Sequence, residues 1–472
     1  MLSLRFSKRR TGVARGVCLS TVLPLCLYLQ ALYAGADEAS ETAPSETALS
    51  ETAIHLNELM AAALNQAPLL QRSQALQQSQ QSQAMVAGYW PKPTLGMTLQ
   101  NLPLDTLDIH QEPMTQFQIS LSQPLPQGQS LALHTQQAHQ EARLEQWRYQ
   151  LLQAGIAQQV QSEWVNIQAA QQGMRLVTQA RQELQQLQQA VESRYRYASS
   201  ATRQTELTIL AAEQEQWLDR HLRWQQQAEV ARQRLNRLLP AALWRTPLQP
   251  EISFSEYPKR PDAALDLGLD MELELDMGLE LKQHPAWQLA QQRHQLGATA
   301  TSLAREQDRP RWRLQAAYGH RPEDNTGRAR ADFVSLGVSV DMPWTNPGQS
   351  HHRVRAALQR QQADLSSRQQ VERELQTGWL QWQSQARLLH TRLQRLIEHR
   401  LPLLDARIDA AEAAYRHDDG RFSDVILAQL ARFTTRIEQL QLAQSLALAQ
   451  VQLDYFLKPL AWVKRVQGGG YD

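Results

Sequence analysis

Cysteine is nearly absent from the chain: only Cys18 and Cys26 occur in 472 residues, both close to the amino terminus. Both precede the small residues at 34–36, whose A-x-A pattern is typical of a signal-peptidase site. The chain that follows this site has no thiol. Thiolate catalysis, disulfide bonds and cysteine-ligated metal sites are therefore excluded from it.

The sequence also lacks a strong net charge and a high apolar content. The formal net charge is +1, so a nucleic-acid-binding surface is not indicated. Aromatic residues make up 6% of the chain and the mean hydropathy is -0.51, far too low for a bundle of membrane helices. Phosphate-loop, dinucleotide-loop and nucleophile-elbow motifs are missing. We therefore expect no enzyme and no cofactor.

The first residues have the composition of an export signal. Basic residues within 5–15 precede an apolar stretch at 17–33, and small residues follow. This order predicts a secretory signal peptide over residues 1–36, since the stretch is short for a membrane anchor and contains Pro24. Residues 37–55 repeat the sequence Ser-Glu-Thr-Ala and are expected to form a flexible acidic leader.

Four short stretches alternate between apolar and polar residues. This alternation predicts strands over 94–102, 114–124, 311–320 and 333–342. Each strand would have one apolar face and one face of Gln, Ser, Thr or Arg. About ten residues per strand also suits a tilted crossing of a lipid bilayer.

Helical periodicity covers the longer proline-poor stretches around these strands. It predicts helices over about 56–89, 130–197 and 350–417, the last with Pro402 inside it. Their apolar positions are mostly Ala and Leu, and Gln and Arg fill the remaining positions. Helices of this kind pack side by side and keep one face in water.

A helix–strand–strand–helix order thus occurs twice, which predicts an internal duplication. Residues 56–239 form the first repeat and residues 284–458 the second. A connector at 240–283 separates them, and a tail at 459–472 follows. The acidic run within 262–282 is compatible with a strand, a helix start or a solvated connector.

Four strands of this length are too few to close a membrane barrel, and lipid does not tolerate open strand edges. Three chains that pool their strands would provide twelve, which is within the range of water-filled barrels. A small soluble sheet packed on helices is the alternative that the alternation leaves open.

Several segments, in chain order, resemble the TolC family of outer-membrane efflux channels from Leu56 to Leu457. They are Leu56-Asn57-Glu58-Leu59, Trp90-Pro91-Lys92-Pro93, Glu112-Pro113-Met114-Thr115, Leu121-Ser122-Gln123-Pro124-Leu125-Pro126-Gln127-Gly128 and Leu401-Pro402. The third and fourth segments are most similar to the heavy-metal (cation) resistance branch of that family.

The resemblance implies a mostly α fold with a small β part. Two tandem helix–strand–strand–helix repeats would assemble as a homotrimer, with an α-helical periplasmic barrel topped by a 12-stranded transmembrane β-barrel in outer-membrane lipid. The tube would dock on a periplasmic adaptor protein and, through it, on an inner-membrane RND-type pump. The duct would passively release metal cations or other small toxic solutes. A type I polypeptide-secretion duct and a periplasmic coiled-coil scaffold are the alternatives.

The turns that join the long helices are the predicted functional site, because a helical tube can narrow where its hairpins converge. The candidates for this periplasmic aperture are Tyr195, Arg196 and Ser199 in the first tip, and Asp418, Asp419, Arg421 and Asp424 in the second. The resemblance implies an aperture-lining role for tip acids, which is assigned to Asp424 with Asp418 and Asp419 as rivals. No metal site is predicted, because the histidines have no ligand-type spacing.

Overall fold

The computed structural model describes residues 54–194, 201–248, 280–342, 347–417 and 421–467. The predicted signal peptide, most of the leader, the acidic run at 262–279 and the end of the tail lie outside these residues. In the described part, the chain is mostly helical with one small sheet, as the sequence predicts.

The first helical stretch is interrupted by a proline. Helix α1 spans Leu56–Gln66 and helix α2 spans Pro68–Ala87. Pro68 has no backbone N–H, and it restricts Ala67 to an extended conformation with ψ of 124°. The single helix predicted over 56–89 is therefore corrected to two shorter helices.

Two helices complete the first repeat. Helix α3 spans Ser130–Arg194 and helix α4 spans Ala201–Asn236. With 65 residues, α3 is about 100 Å long at the usual rise per residue. A 3₁₀ turn at Ala241–Leu243 then begins the connector. The Arg232 guanidinium ties this turn to α4, because it donates to the carbonyl groups of Leu243, Trp244 and Thr246 at 3.0, 2.8 and 2.6 Å.

The leader and the tail each contribute an ordered piece. The Ile54 N–H donates to the Pro247 carbonyl at 3.0 Å, and Ile54 forms a parallel bridge with Leu248. Helix α9, at Ala461–Gln467, lies within the predicted tail. Its Val463 is buried among residues of α1 and α3. The last residues of the leader therefore pair with the connector, and part of the tail packs on the first helix.

The second repeat has the same order of elements. Its helices are α5 (Pro285–Glu306), α6 (Pro347–Arg395), α7 (Leu401–Arg416) and α8 (Phe422–Leu457). A π-helical turn at Leu396–Arg400 joins α6 to α7 and ends two residues before Pro402. A proline clashes with the preceding helical turn, and a π turn widens the helix locally. The helix predicted over 350–417 is therefore continuous but not regular.

The four strands form one antiparallel sheet in the order β1–β2–β3–β4. The strands are Thr94–Gln100, Gln116–Pro124, Arg311–His320 and Phe333–Asp341. Strands β2 and β3 pair across the boundary between the repeats, and β1 and β4 are the two edges. Each repeat thus contributes one hairpin to a shared sheet.

The helices follow the same lateral order as the strands. Helix α2 contacts α3, α3 contacts α5, and α5 contacts α6. Helices α4 and α8 pack against α3, and α8 also contacts α6 and α7. Helix α2 therefore continues the β1 edge, and α6 continues the β4 edge. None of the helices in the described ranges is both long enough and apolar enough to cross a membrane.

The apolar core lies in the helices, away from the sheet. One cluster buries Trp217, Trp379 and Leu446, where α4, α6 and α8 meet α3. A second cluster surrounds Trp164 on α3 and Leu235 on α4, and joins them to α1. The long helices are therefore held together mainly by large side chains in their middle and distal parts.

We expect Gly173→Ala to destabilise the protein. A Cβ atom at Gly173 would lie 2.5 Å from the indole ring of Trp224, which is itself buried. Because this rigid ring would have to shift, the substitution should lower the unfolding free energy by about 1–3 kcal/mol. The temperature of helix loss, measured by circular dichroism in detergent, should fall.

Gly155→Ala on the same helix is the matched control. A Cβ atom there has no neighbour within 4 Å, so alanine adds only helix propensity. This variant should be as stable as the native protein or more stable by about 0.5–1 kcal/mol. Equal midpoints for both variants would contradict the packing argument.

His284 is a buried histidine at the start of α5. Its side chain is 1% exposed, and its Nδ1 accepts a hydrogen bond from the Ala286 N–H at 3.2 Å. The ring also stands edge-on to Tyr455, with 5.0 Å between the ring centroids. Burial lowers the pKa of His284 from 6.5 to about 4, and a backbone contact with Tyr455 opposes this only in part.

This lowered pKa predicts a loss of stability in acid. Below about pH 6.5 the unfolded chain binds a proton at His284 that the folded chain does not bind until about pH 4. Stability is therefore complete above pH 6.5 and falls by about 3 kcal/mol between those two values. In His284→Gln, the difference between unfolding midpoints at about pH 7 and about pH 4.5 should shrink. His139→Gln, at an exposed position, should retain the native difference.

Candidate functional site

The cross-strand register gathers the apolar residues of all four strands on one face of the sheet. On the first hairpin, the paired residues are Leu95 with Leu121, Met97 with Ile119 and Leu99 with Phe117. On the second hairpin, they are Trp312 with Val340, Leu314 with Val338, Ala316 with Leu336 and Tyr318 with Val334. Ile119 and Tyr318 pair across the central strands. We call this surface the apolar face.

The apolar face is exposed. Met97, Val334 and Leu336 have 76%, 74% and 83% of their surface accessible. A sheet packed on helices would bury these side chains, so the predicted alternative of a soluble sheet is contradicted within the described part of the chain. An apolar surface that crosses four strands marks a site for contact with lipid or with another protein.

The opposite face of the sheet is polar. It carries Gln, Ser and Thr on β1 and β2, where the Gln116 amide donates to Gln100 Oε1 at 2.8 Å and the Gln100 amide donates to Gln118 Oε1 at 2.5 Å. Gly319 makes room for this row, because a Cβ atom there would lie 2.4 Å from Gln116 Oε1. We call this surface the polar face. The two faces thus divide the sheet as a wall between lipid and water would require.

The loops at the far end of the two hairpins hold each other. Arg330 in the second loop donates to the carbonyl groups of Glu112 and His110 in the first loop, at 2.9 and 3.1 Å. The Arg321 guanidinium donates to the Pro113 carbonyl at 3.3 Å and lies over the Phe333 ring. Two arginines of the second repeat therefore fix the loop of the first.

Two carboxylates shape the second loop. Asp332 accepts hydrogen bonds from the Tyr318 hydroxyl and from the Arg321 N–H, and these, the Tyr318 bond first, lower the pKa of Asp332. Asp324 accepts from the Thr326 hydroxyl and from the Arg328 N–H, and these bonds lower the pKa of Asp324. Both carboxylates therefore stay charged at mildly acidic pH and keep their hydrogen bonds to the backbone of the second loop.

The contact between the two loops is not visible in the sequence, because its partners are more than 200 residues apart in the chain. The only local signal is the turn sequence Asp324-Asn325-Thr326-Gly327, in which Gly327 has a positive φ of 76°. That signal predicts a tight turn but not its neighbour.

At the other end of the long helices, the structure describes two of the predicted tip residues. Arg421 precedes α8 in an extended conformation, and its carbonyl accepts the Asp424 N–H at 3.1 Å. Both side chains are exposed, and Asp424 lies in the first turn of α8, where the helix dipole favours a negative charge. Tyr195, Arg196, Ser199, Asp418 and Asp419 lie outside the described residues.

An aromatic contact supports this second tip. Tyr415 near the end of α7 and Phe422 at the start of α8 have ring centroids 5.1 Å apart. Phe422 is also buried, so the start of α8 is packed and contacts the end of α7. The exposed Asp424 thus lies in the first turn of a helix whose first residue, Phe422, is packed. The sequence analysis assigned an aperture role to Asp424, which stays a prediction, and did not anticipate the Tyr415–Phe422 contact.

The edge helices carry exposed leucines. On α2 these are Leu69 and Leu76, at 52% and 46% exposure, and on α6 and α7 they are Leu388 and Leu403, at 66% and 71%. Helix α2 and helices α6 and α7 lie at opposite lateral edges of the chain. Both edges of the helical part, like both edges of the sheet, therefore have apolar or unpaired groups that a neighbour could cover.

The histidines do not form a metal centre in the part of the chain that the structure shows. No three His, Cys, Asp or Glu side chains there come close enough together to bind a metal ion. The His351 and His352 rings are 5.6 Å apart at the start of α6, and both are exposed.

No protein-family model and no curated protein sequence matches the chain. Solved structures do match it along most of its length. CusC, described in terms of transmembrane channel formation, is 18% identical, with a TM-score of 0.68 over 85% of this chain and 91% of that chain. The open outer-membrane channel MtrE of Neisseria gonorrhoeae is 15% identical, with a TM-score of 0.67 over 85% and 88%.

The outer-membrane channel CmeC of Campylobacter jejuni is 11% identical, with a TM-score of 0.69 over 88% of both chains. At such identities the likeness establishes the fold. The chain therefore has the fold of these outer-membrane channels of the TolC family, and the expected mostly helical fold with one small sheet is confirmed. The homotrimer and its 12-stranded barrel stay predictions.

Proposed function

We propose that this chain is one subunit of a trimeric outer-membrane channel and acts as a passive exit duct in an efflux system. The observation that carries the proposal is the sheet, whose apolar face is exposed and whose two edge strands have no outer partner among the described residues. In the outer membrane, the apolar face would lie against lipid and the polar face would line water. The shared fold of the outer-membrane channels supports this location.

The edges of the sheet argue for several chains. An unpaired strand edge in hydrocarbon leaves backbone groups without hydrogen bonds, so β1 of one subunit must pair with β4 of the next. The exposed leucines on α2, α6 and α7 lie on the same two edges. One contact between neighbouring subunits would therefore pair the edge strands and also cover the exposed leucines of the edge helices. The same contact would repeat around a closed ring of subunits.

The number of strands argues for three subunits. Two chains would give eight strands, and an eight-stranded barrel is filled by its own side chains. Three chains would give twelve strands, which enclose a water-filled passage. The polar face, with its Gln, Ser and Thr side chains, suits the wall of such a passage.

The sequence resemblance is the support for the proposed cargo and partners. We propose that the distal helix tips dock on a periplasmic adaptor protein and, through it, on an inner-membrane RND-type pump that supplies the energy. The resemblance to the heavy-metal resistance branch favours metal cations, or other small toxic solutes, as cargo. The chain itself would act as a duct and not as an enzyme.

Two neighbouring substitutions on β4 test the membrane assignment. Leu336 lies on the apolar face and Ser335 on the polar face, and both are exposed. An arginine against lipid costs about 2–4 kcal/mol near the bilayer centre, whereas an arginine facing water costs little. Leu336→Arg should therefore strongly reduce the amount of heat-modifiable trimer in outer-membrane fractions, and Ser335→Arg should leave it near the native level.

Equal amounts of trimer for the two variants would contradict the assignment of the faces. Purification of the native protein as a monodisperse monomer without detergent would contradict the channel itself. The conductance of the purified protein in planar lipid bilayers provides a direct measurement of the duct.

The tip acid provides a second prediction. If Asp424 lines a narrow aperture, Asp424→Ala should raise the single-channel conductance roughly twofold and weaken the preference for cations. Combination with Asp418→Ala should increase both effects. Asp409→Ala, at an exposed position on α7, is the charge-matched control and should conduct like the native channel. Native conductance in the double variant would show that these acids do not line the aperture.

A further inference from the structure

Charge is distributed unevenly on the polar face. The residues of β1 and β2 that point to this face are uncharged Thr, Gly, Gln and Ser. On β3 and β4, the charged residues of this face are Arg311, Arg313 and Asp341. All three lie at the end of the sheet that meets the helices, where Arg311 is opposite Asp341 and Arg313 is opposite Ser339. The charge of the polar face is thus concentrated at one level.

Other arginines surround this level, but they already have partners. The Arg309 Nε atom is 3.1 Å from a carboxylate oxygen of Glu306. Arg353 lies 3.8 Å from Asp308. Arg311 and Arg313 are exposed, and neither has a carboxylate within ion-pair distance in the described ranges. Two guanidinium groups per chain therefore have charge available for a ligand.

Two clefts meet at Arg311. The larger, of about 810 Å³, has Arg311 and Arg313 at its sheet end. One face of α3 forms the opposite wall, with His134, Gln137 and Glu141. The smaller, of about 430 Å³, adds Arg309, Arg353 and Ser350 to Arg311. Arg311 is thus the one charged residue that lines both clefts, beside Gln127 and Gln307. Four guanidinium groups border the two clefts, together with the carboxylates of Glu141, Asp308 and Asp341.

We propose that Arg311 and Arg313 form an anion-binding collar inside the duct, at the level where the sheet meets the helices. The inference rests on the proposed function, because only a ring of subunits places these residues around one passage. Three subunits would bring six free guanidinium groups to that level. Rings of Arg or Lys select anions in pores, and a guanidinium group binds phosphate or carboxylate through two parallel hydrogen bonds.

The collar specifies the chemistry of the cargo that passes it. Small multivalent anions would be concentrated there, since a narrow charged passage raises the local concentration of counter-ions. Free metal cations would be repelled at the same level. A metal would therefore cross the collar more readily as an anionic complex than as an aquo ion.

Planar-bilayer measurements test this inference. The native channel and the double variant Arg311→Gln, Arg313→Gln are compared in a potassium chloride gradient, with inorganic phosphate added as the probe. The anion-over-cation permeability ratio should fall roughly two- to fivefold in the double variant. Phosphate at millimolar concentration should reduce the chloride current of the native channel and have little effect on the variant.

Two controls make the result specific. Arg328→Gln removes one charge from the exposed loop at the opposite end of the sheet and should leave selectivity and phosphate block unchanged. The double variant Arg311→Lys, Arg313→Lys keeps both charges and should retain the native permeability ratio. If the glutamine pair prevents trimer formation, Arg313→Gln alone should give a smaller fall in the permeability ratio.

Native permeability ratios and native phosphate block in channels that carry the glutamine pair would overturn the collar and leave the duct intact. Absence of any conductance from correctly inserted native protein would instead reject the proposed function, and the collar with it.

Discussion

The structure depends on one requirement: a four-stranded sheet with an apolar face must find something to cover that face and to pair its two edges. The chain does not provide this cover in its described part, since Leu336 remains 83% exposed and β1 and β4 have no outer neighbours. Burial of apolar surface contributes roughly 25 cal/mol per Å² of free energy. A chain with this sheet exposed to water would therefore tend strongly to associate with lipid or with other chains. Lipid on one face and copies of the chain at both edges meet the requirement together.

The helices, unlike the sheet, bury many of their apolar side chains against one another within the chain. Large buried residues such as Trp217 and Trp379 hold the distal halves of the long helices together, so the tips can project from a packed support. Near the sheet, α5 buries small residues such as Ala290, Thr299 and Ala304. Helices that bury small side chains can lie close together as a thin wall. The side chains that α5 buries are thus smaller than those in the core cluster around Trp217 and Trp379.

Much of the fold follows from periodicity in the sequence. A period of two in strands such as Phe333–Asp341 predicts both the strand and its two faces, because successive side chains point in opposite directions. The break at Ala67–Pro68 needed the structure, since the periodicity continues across it. The aperture role of Asp424 stays a prediction, and the Tyr415–Phe422 contact next to it could not be read from the sequence.

The remaining features depend on contacts between distant parts of the chain. The hold of Arg330 on the carbonyl of Glu112 spans 218 residues and requires β2 to pair with β3. The convergence of Arg311 and Arg353 on one recess depends on the same pairing and on the direction in which α6 leaves the sheet. Local propensity and alternation do not contain this information, because neither specifies which segments become neighbours.

The two repeats are alike in the order of their elements and unlike in charge, and this difference sets the symmetry of any ring they build. A ring of three chains has six hairpins, and these would be nearly equivalent if only their strands were compared. The first hairpin of each chain is neutral on its polar face, whereas the second carries Arg311, Arg313 and Asp341. A ring of three chains would therefore alternate neutral and charged sectors, and its electrostatic field would repeat every 120° and not every 60°.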